Sequence, residues 1–516
     1  MTRIYSYTQP LDADIVDAFC IMQKGFTDQF VYYRKDRPTR FMGLGRCIAL
    51  PTLDEAECEL TGPAAEQPVF FSFNRFDAHN PAPADELFQS FPNLHFMLPE
   101  VVLIENESGA FLQVNSLGPV YAGRVERFAR LALTAPHRTR RTVSYQLELD
   151  SRSAWEQAVG SGLDAIKGGR VEKVVLSRRL KLRADEPFSS KDLLVNLIDG
   201  TAHGTVLLYR YADVFFCGCT PELLVRKTGC ELESMCLAGT CPASPDPAEN
   251  ERLAQGLLND AKNRAEHDYV VRFIRDVLSR TCYAVDVPKQ PTIMPLTRIQ
   301  HLMTPARAKL LEGVDLWSMM GDLHPTPAVS GTPVGEAKML IRRIEAYNRG
   351  FFAGACGYVD AAGDGEFSVA LRTGVFDGEI GYVYAGCGIV DGSRAADEYD
   401  EIALKLKTVL SAFDGEAVTA SSHAAQTSPQ TSPQTTAQNA PQTTGETNPQ
   451  AASPADLQEI SQVAGQTATQ TAGQTDQQAA SPADLQASLQ VAGQIATQDA
   501  AQTSPQTTTS GKGEAR

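Results

Sequence analysis

Residues 350–405 gather side chains suited to binding an anion. Arg372 is a lone cation among apolar neighbours, and Ala385-Gly386-Cys387-Gly388 is a glycine-rich bend with accessible backbone amides. Glu398 and Glu401 lie one helical turn apart, on one side of a predicted helix. A cation, free amides and paired carboxylates together suit a small anionic ligand held partly by a divalent metal. Glu266 adds a third carboxylate. It shares a helical stripe with Val270, Ile274 and Val277, where a charge is costly unless it is paired or metal-bound. Other polar residues have plainer readings. Lys173 opens the run VEKVVLSRRLKL and reads as a solvated edge residue, with Val174 and Leu176 alternating away from its face. Glu222 falls at a turn, where acidic residues are mostly structural, and His267 reads as a packing residue.

The elements that would position these groups follow from periodicity. FFAGACGYV, FSVALRTGVF and YVYAGCGIV are short apolar runs broken at Asp364-Gly365 and Asp377-Gly378, which predicts a three-stranded antiparallel meander. Glu398, Glu401, Ile402, Lys405, Leu406, Val409, Leu410 and Phe413 then recur at helical spacing. Upstream, VLLYRY, VFFCGCT, ELLVRKTG and ELESMCLAGT read as a second meander, with Glu222 between its second and third runs. Helices are predicted over 153–167 and in one piece from near Asn250 to Arg280. The prolines of LHPTPAVSGTP exclude a regular helix after His324 and favour a rigid loop. The first 140 residues show strand patterns, such as VVLIENESGAFLQVNS, but no catalytic spacing; they read as scaffold and half of a sheet sandwich.

Composition divides the 516-residue chain near Gly415. Residues 415–516 are rich in Gln, Thr, Ala, Ser and Pro, lack Phe, Tyr, Trp and Cys, and repeat QAASPADLQ at Gln450–Gln458 and Gln478–Gln486. Too little apolar surface is available there to offset the entropy of ordering, so a disordered tail is expected after a folded domain of residues 1–414. The formal net charge of −16 argues against nucleic acid and anionic membrane as partners. No run of 18 apolar residues occurs and the amino terminus lacks the order of a signal peptide, so a cytoplasmic protein is expected. The eleven cysteines lie mostly inside apolar runs and read as reduced core thiols.

LAGT (Leu237–Thr240), KNRAEHDYVV (Lys262–Val271), HPTPAVSGTP (His324–Pro333), GDGEFSVALRTG (Gly363–Gly374), YAGCGIVDGS (Tyr384–Ser393) and EYDEIALK (Glu398–Lys405) resemble, in order, the motifs of the chorismate-utilising enzymes. That family includes anthranilate synthase large subunits and aminodeoxychorismate, isochorismate and salicylate synthases. The resemblance spans roughly 153–413. It implies an α+β chorismate-binding fold, like anthranilate synthase component I, with two facing antiparallel sheets and outer helices. It also implies Mg²⁺ held by Glu266 and Glu401 with Glu398 nearby, Asn263 standing where some relatives carry a further glutamate. Arg372, Gly386, Gly239, Thr240 and Lys405 would contact substrate carboxylates, and His324 and Ala328 would line the substrate site.

Family members that add ammonia carry glutamine where this chain has Lys173, and members that add water carry lysine. Lys173 would then be the general base on water and Glu222 the acid for the departing C4 hydroxyl of chorismate. No glutamine amidotransferase partner is expected, and a monomer or weak dimer is. Salicylate synthases tend to have threonine at the position of Ala328, so isochorismate is the expected product, for menaquinone or siderophore synthesis. A salicylate synthase is the runner-up. An anthranilate or aminodeoxychorismate synthase component ranks lower, as does a non-catalytic relative, because Lys173, Glu222, Glu266, Arg372 and Glu401 are all present.

If the tail is dispensable for chemistry, truncation after Asp414 leaves kcat and KM unchanged. Steady-state kinetics of the truncated chain against the full chain check this; a large loss of turnover would show that the tail docks on the domain.

Overall fold

The computed structural model describes residues 1–413 apart from 65, 81–85, 149 and 346; the tail expected over 415–516 lies outside the described residues. Apolar alternation along the strands is satisfied by two large sheets, one of 13 strands and one of 10 among the described residues. Their ladders are antiparallel except where Thr2–Pro10 runs parallel to Ala56–Thr61. Between the sheets lies a core rich in aromatic rings. Phe30 of the larger sheet stacks on Phe71 of the smaller at 5.5 Å, and Tyr209 of the larger meets Phe73 of the smaller at 5.0 Å. Burying such rings is the largest apolar contribution available to a sandwich of this kind.

The amino-terminal region supplies strands to both sheets rather than half of one sandwich. Gln29–Arg34, Arg40–Leu44 and the hairpin Val101–Asn106 with Gly109–Ser116 join the larger sheet, while Ile48–Leu50, Val69–Phe73 and Phe96–Leu98 join the smaller. The helix expected near 153–167 is present as Arg152–Lys167, begun by Ser151, whose hydroxyl accepts from the Ala154 amide. The single long helix expected from Asn250 is two, Pro247–Asn259 and Ala261–Thr281. Asp260 interrupts them with extended backbone, and its carboxylate accepts from the Asn263 amide, so it caps the second helix instead of continuing the first.

Both predicted meanders change sheets midway. Ala355–Asp360 and Gly365–Val369 lie in the smaller sheet, whereas Thr373–Asp377 and Ile380–Ile389 lie in the larger, so the expected three strands are four. The break falls at Arg372, whose φ of 54° turns the chain out of one ladder. In the same way Val214–Thr220 belongs to the larger sheet and Leu223–Thr228 to the smaller, with Pro221-Glu222 as the crossing. The two crossings are tied together. The Cys219 amide donates to the Arg372 carbonyl (3.3 Å), the Val369 amide to the Glu222 carbonyl (3.0 Å), and the Thr220 hydroxyl to the Val369 carbonyl (2.5 Å).

Gly218 permits this contact, because a Cβ there would stand 2.2 Å from the Arg372 carbonyl oxygen and 2.6 Å from Thr373 Cα. Both obstacles are backbone and cannot rotate aside. Gly218→Ala is therefore expected to destabilise the domain by about 1–3 kcal/mol, the range for overpacking. The midpoint of urea unfolding measures it; an unchanged midpoint would mean that the crossings separate freely.

Candidate active site

The tied crossings form one wall of a cavity enclosing about 710 Å³ of space outside protein atoms, solvent at its mouth included. Of the residues singled out from the sequence, Glu222, Gly239, Thr240, Glu266, Ala328, Arg372, Gly386 and Lys405 line it. Lys173, Glu398 and Glu401 stand behind that lining. His324 is elsewhere: its Nε2 donates to the Ala353 carbonyl at 2.9 Å, and burial lowers its pKa to about 4. Expected as a lining residue, it instead braces a neighbour, since Ala353 does line the cavity.

Lys173 overturns the reading as a solvated edge residue, because it is wholly buried. Its strand, Lys173–Arg183, is not an edge at that point. Lys173 pairs with Thr332 and Val174 with Gly331 on one side, and from Val174 onward the strand pairs with Ile380–Ile389 on the other. Alternation turns Lys173, Val175 and Ser177 to one face, and Val175 and Ser177 line the cavity. Lys173 Nζ lies 3.1 Å from Glu266 Oε1, an ion pair without hydrogen-bond alignment. Gly388 makes room for it: a Cβ there would lie 2.1 Å from Glu266 Oε1 and 2.7 Å from Lys173 Cε.

Glu222 is not an ordinary turn residue either. It is buried, and that burial raises its pKa to about 8 against the pull of Lys173, Lys405 and Arg372. A carboxyl in this state is an acid at neutral pH. Arg372 shows the converse: burial lowers its pKa to about 10, which leaves it charged. Its Nη2 donates to His301 Nε2 at 2.7 Å. That bond fixes the tautomer, so His301 Nδ1 carries the proton and faces the Gly239 carbonyl (3.3 Å) and the Thr240 hydroxyl (3.2 Å). Burial and then Arg372 press the His301 pKa well below its ordinary value, so it stays neutral. His301 lines the cavity but was missed in the sequence, where it falls in none of the motifs singled out. A bulge between Ala238 and Thr240 aims Thr240 inward, and its amide donates to Asn263 Oδ1 at 3.1 Å.

With these residues placed, comparison with known proteins is decisive. The family described as chorismate binding enzyme matches residues 2–414, including the amino-terminal part where no motif is visible. The chain belongs to this family. A Bacillus subtilis isochorismate synthase, MenF, is 33% identical over 68% of this chain and 76% of its own length. The salicylate biosynthesis isochorismate synthase of Pseudomonas aeruginosa is 33% identical over 70% of this chain and 77% of its own. Among solved structures, the menaquinone-specific isochorismate synthase MenF of Escherichia coli superimposes with a TM-score of 0.66 at 24% identity, covering 80% of this chain and 94% of that one, which shows the shared fold.

The cavity of this chorismate-binding enzyme is lined by cations and by the carboxylate of Glu266, which is paired with Lys173. Arg372 and Lys405 face it while Glu222 is neutral, and Val175, Leu237, Val329 and Phe352 supply apolar walls for a ring. Glu266, in the lining, and Glu398 and Glu401, behind it, converge from the helices Ala261–Thr281 and Ala395–Leu410. Each is matched by a lysine: Lys173 on Glu266, Lys262 on Glu398 (2.5 Å) and Lys405 on Glu401 (2.8 Å). Among the described residues no three His, Cys, Asp or Glu side chains are placed to hold one ion together. Hard carboxylate oxygens from two helices nevertheless fit Mg²⁺, which takes one or two protein carboxylates and fills its shell with water and substrate oxygens.

The acid form of Glu222 prevails below its raised pKa and is lost as pH climbs through it. If that form is needed, kcat/KM for chorismate holds up to about pH 8 and then falls about tenfold per pH unit. A pH–rate profile with no such limb, or an identical limb in Glu222→Gln, would remove Glu222 from this role.

Proposed function

We propose that the chain is an isochorismate synthase that converts chorismate to isochorismate. The observation that carries this reading is a buried, neutral Glu222 in the same cavity as Arg372 and as Glu266, which Lys173 pairs with from behind the lining. In this reading Lys173, which must first give up its own proton to act as the neutral amine, takes a proton from water as the oxygen attacks C2, and Glu222 donates a proton to the oxygen leaving C4. One water enters and one leaves, so the reaction is an isomerisation. Arg372 and Lys405 hold the carboxylates of the substrate through charge-assisted bonds. Glu266 and Glu401 would hold Mg²⁺, with Glu398 supporting through water. When bound, the metal would neutralise the ring carboxylate that these glutamates otherwise repel. Ala328, which places a methyl group in the cavity wall where a threonine hydroxyl would mark a salicylate synthase, supports release of isochorismate without pyruvate elimination. The product would supply menaquinone or a catecholate or salicylate siderophore; a menaquinone-specific and a salicylate biosynthesis isochorismate synthase are named among the relatives.

Incubation with chorismate and Mg²⁺, followed by chromatography, tests the reading directly. Isochorismate is expected, with ¹⁸O from labelled water at C2, and EDTA abolishes turnover. Lys173→Ala and Glu222→Gln each lower kcat by roughly 10²–10⁴-fold with a smaller change in KM, the usual worth of a general acid or base. Anthranilate or salicylate as the main product, full activity in EDTA, or ordinary turnover by Lys173→Ala would overturn it.

A further inference from the structure

The three carboxylates Glu266, Glu398 and Glu401 are each paired with a lysine, and the three lysines are not equally held. Lys173 is fully enclosed, with side-chain exposure of 0%. Lys405 is fixed twice, by Glu401 at 2.8 Å and by the Gly386 carbonyl at 3.0 Å, with 18% exposure. Lys262 has 35% exposure and holds Glu398 through one charge-assisted bond of 2.5 Å. Its charge is stabilised by Glu266 and Glu401 as well, so it interacts with all three carboxylates at once. It sits one turn before Glu266 on the helix Ala261–Thr281, close enough to the helix start for its long side chain to swing out to solvent.

We propose that Lys262 is the resident counter-cation of this carboxylate trio and the one lysine that a divalent metal displaces. The inference rests on the metal site read above. Its argument is one of charge and room. A doubly charged ion added beside three ammonium groups would leave buried positive charge unbalanced, at a cost far above that of moving one side chain into water. Lys173 has no path to solvent, and Lys405 would have to break two contacts. Lys262 breaks one and leaves along an open side. Lys262 thereby keeps the carboxylates from repelling one another when no metal is bound, and it weakens metal affinity by the strength of the bond that must be broken.

Calorimetric titration of magnesium chloride into protein stripped with EDTA, without chorismate, reads this apart from turnover. Lys262→Gln is expected to bind Mg²⁺ roughly tenfold more tightly than the wild-type chain, about the worth of one charge-assisted hydrogen bond no longer broken. It also melts at lower temperature in EDTA, and the deficit closes in excess Mg²⁺, because binding to the folded state stabilises it. Lys262→Arg, which keeps the charge and can grip Glu398 through two parallel bonds, binds Mg²⁺ more weakly than wild type and stays folded in EDTA. Affinity unchanged or weakened in Lys262→Gln, or tightened in Lys262→Arg, overturns the role of Lys262 and leaves the metal site standing. Absence of Mg²⁺ binding by the wild-type chain itself overturns the metal site, and this inference with it.

Discussion

Two stretches of chain cross between the larger and the smaller sheet at the same place, in opposite directions, and backbone hydrogen bonds between Cys219 and Arg372 and between Val369 and Glu222 hold them side by side. Much of the site depends on that constraint. A strand that switches sheets must expose its backbone to the space between them, and here the exposed groups are satisfied by the neighbouring crossing rather than by water. Glu222 and Arg372, which sit at the two turning points, are consequently buried without being buried together in an ion pair. Their opposite pKa displacements share that one cause. Removal from water disfavours charge on both, which makes the carboxyl an acid near neutrality and leaves the guanidinium charged with its affinity for anions undiluted by solvent.

The opposite wall follows a different logic. There, charge is tolerated because it is matched. Glu266, Glu398 and Glu401 come from two helices that converge behind the glycine-rich end of the strand Ile380–Ile389, and each finds a lysine. The glycine at 388 is what allows Glu266 and Lys173 to meet at all. A cavity with a neutral acid and a buried cation on one side, and a compensated carboxylate trio on the other, suits a small anionic ligand. His301 accepts a hydrogen bond from Arg372 on one nitrogen and faces Gly239 and Thr240 with the other.

Much of this was legible in the chain itself. The helical stripe of Glu266, Val270, Ile274 and Val277 and the single-turn spacing of Glu398 and Glu401 located the carboxylates, because helical periodicity is a local property that needs no partner to be read. The turn residues Asp364-Gly365 and Asp377-Gly378 marked real strand ends for the same reason. Resemblance of ordered motifs supplied the family, which the match over residues 2–414 then showed. What the tertiary structure alone decided was partnership. Whether FSVALRTGVF continues in one sheet or turns into another depends on which strands capture its halves, and no apolar pattern records that. The burial of Lys173 depends on residues 331–332, far along the chain, which close the edge that a lysine at a strand start would otherwise occupy. His301 went unnoticed in the sequence because its partner, Arg372, is reached only across the fold. Side-chain type and spacing are local and survive in the sequence; burial and the identity of a neighbour are set by long-range pairing, and these convert a turn glutamate into an acid and an edge lysine into an enclosed one.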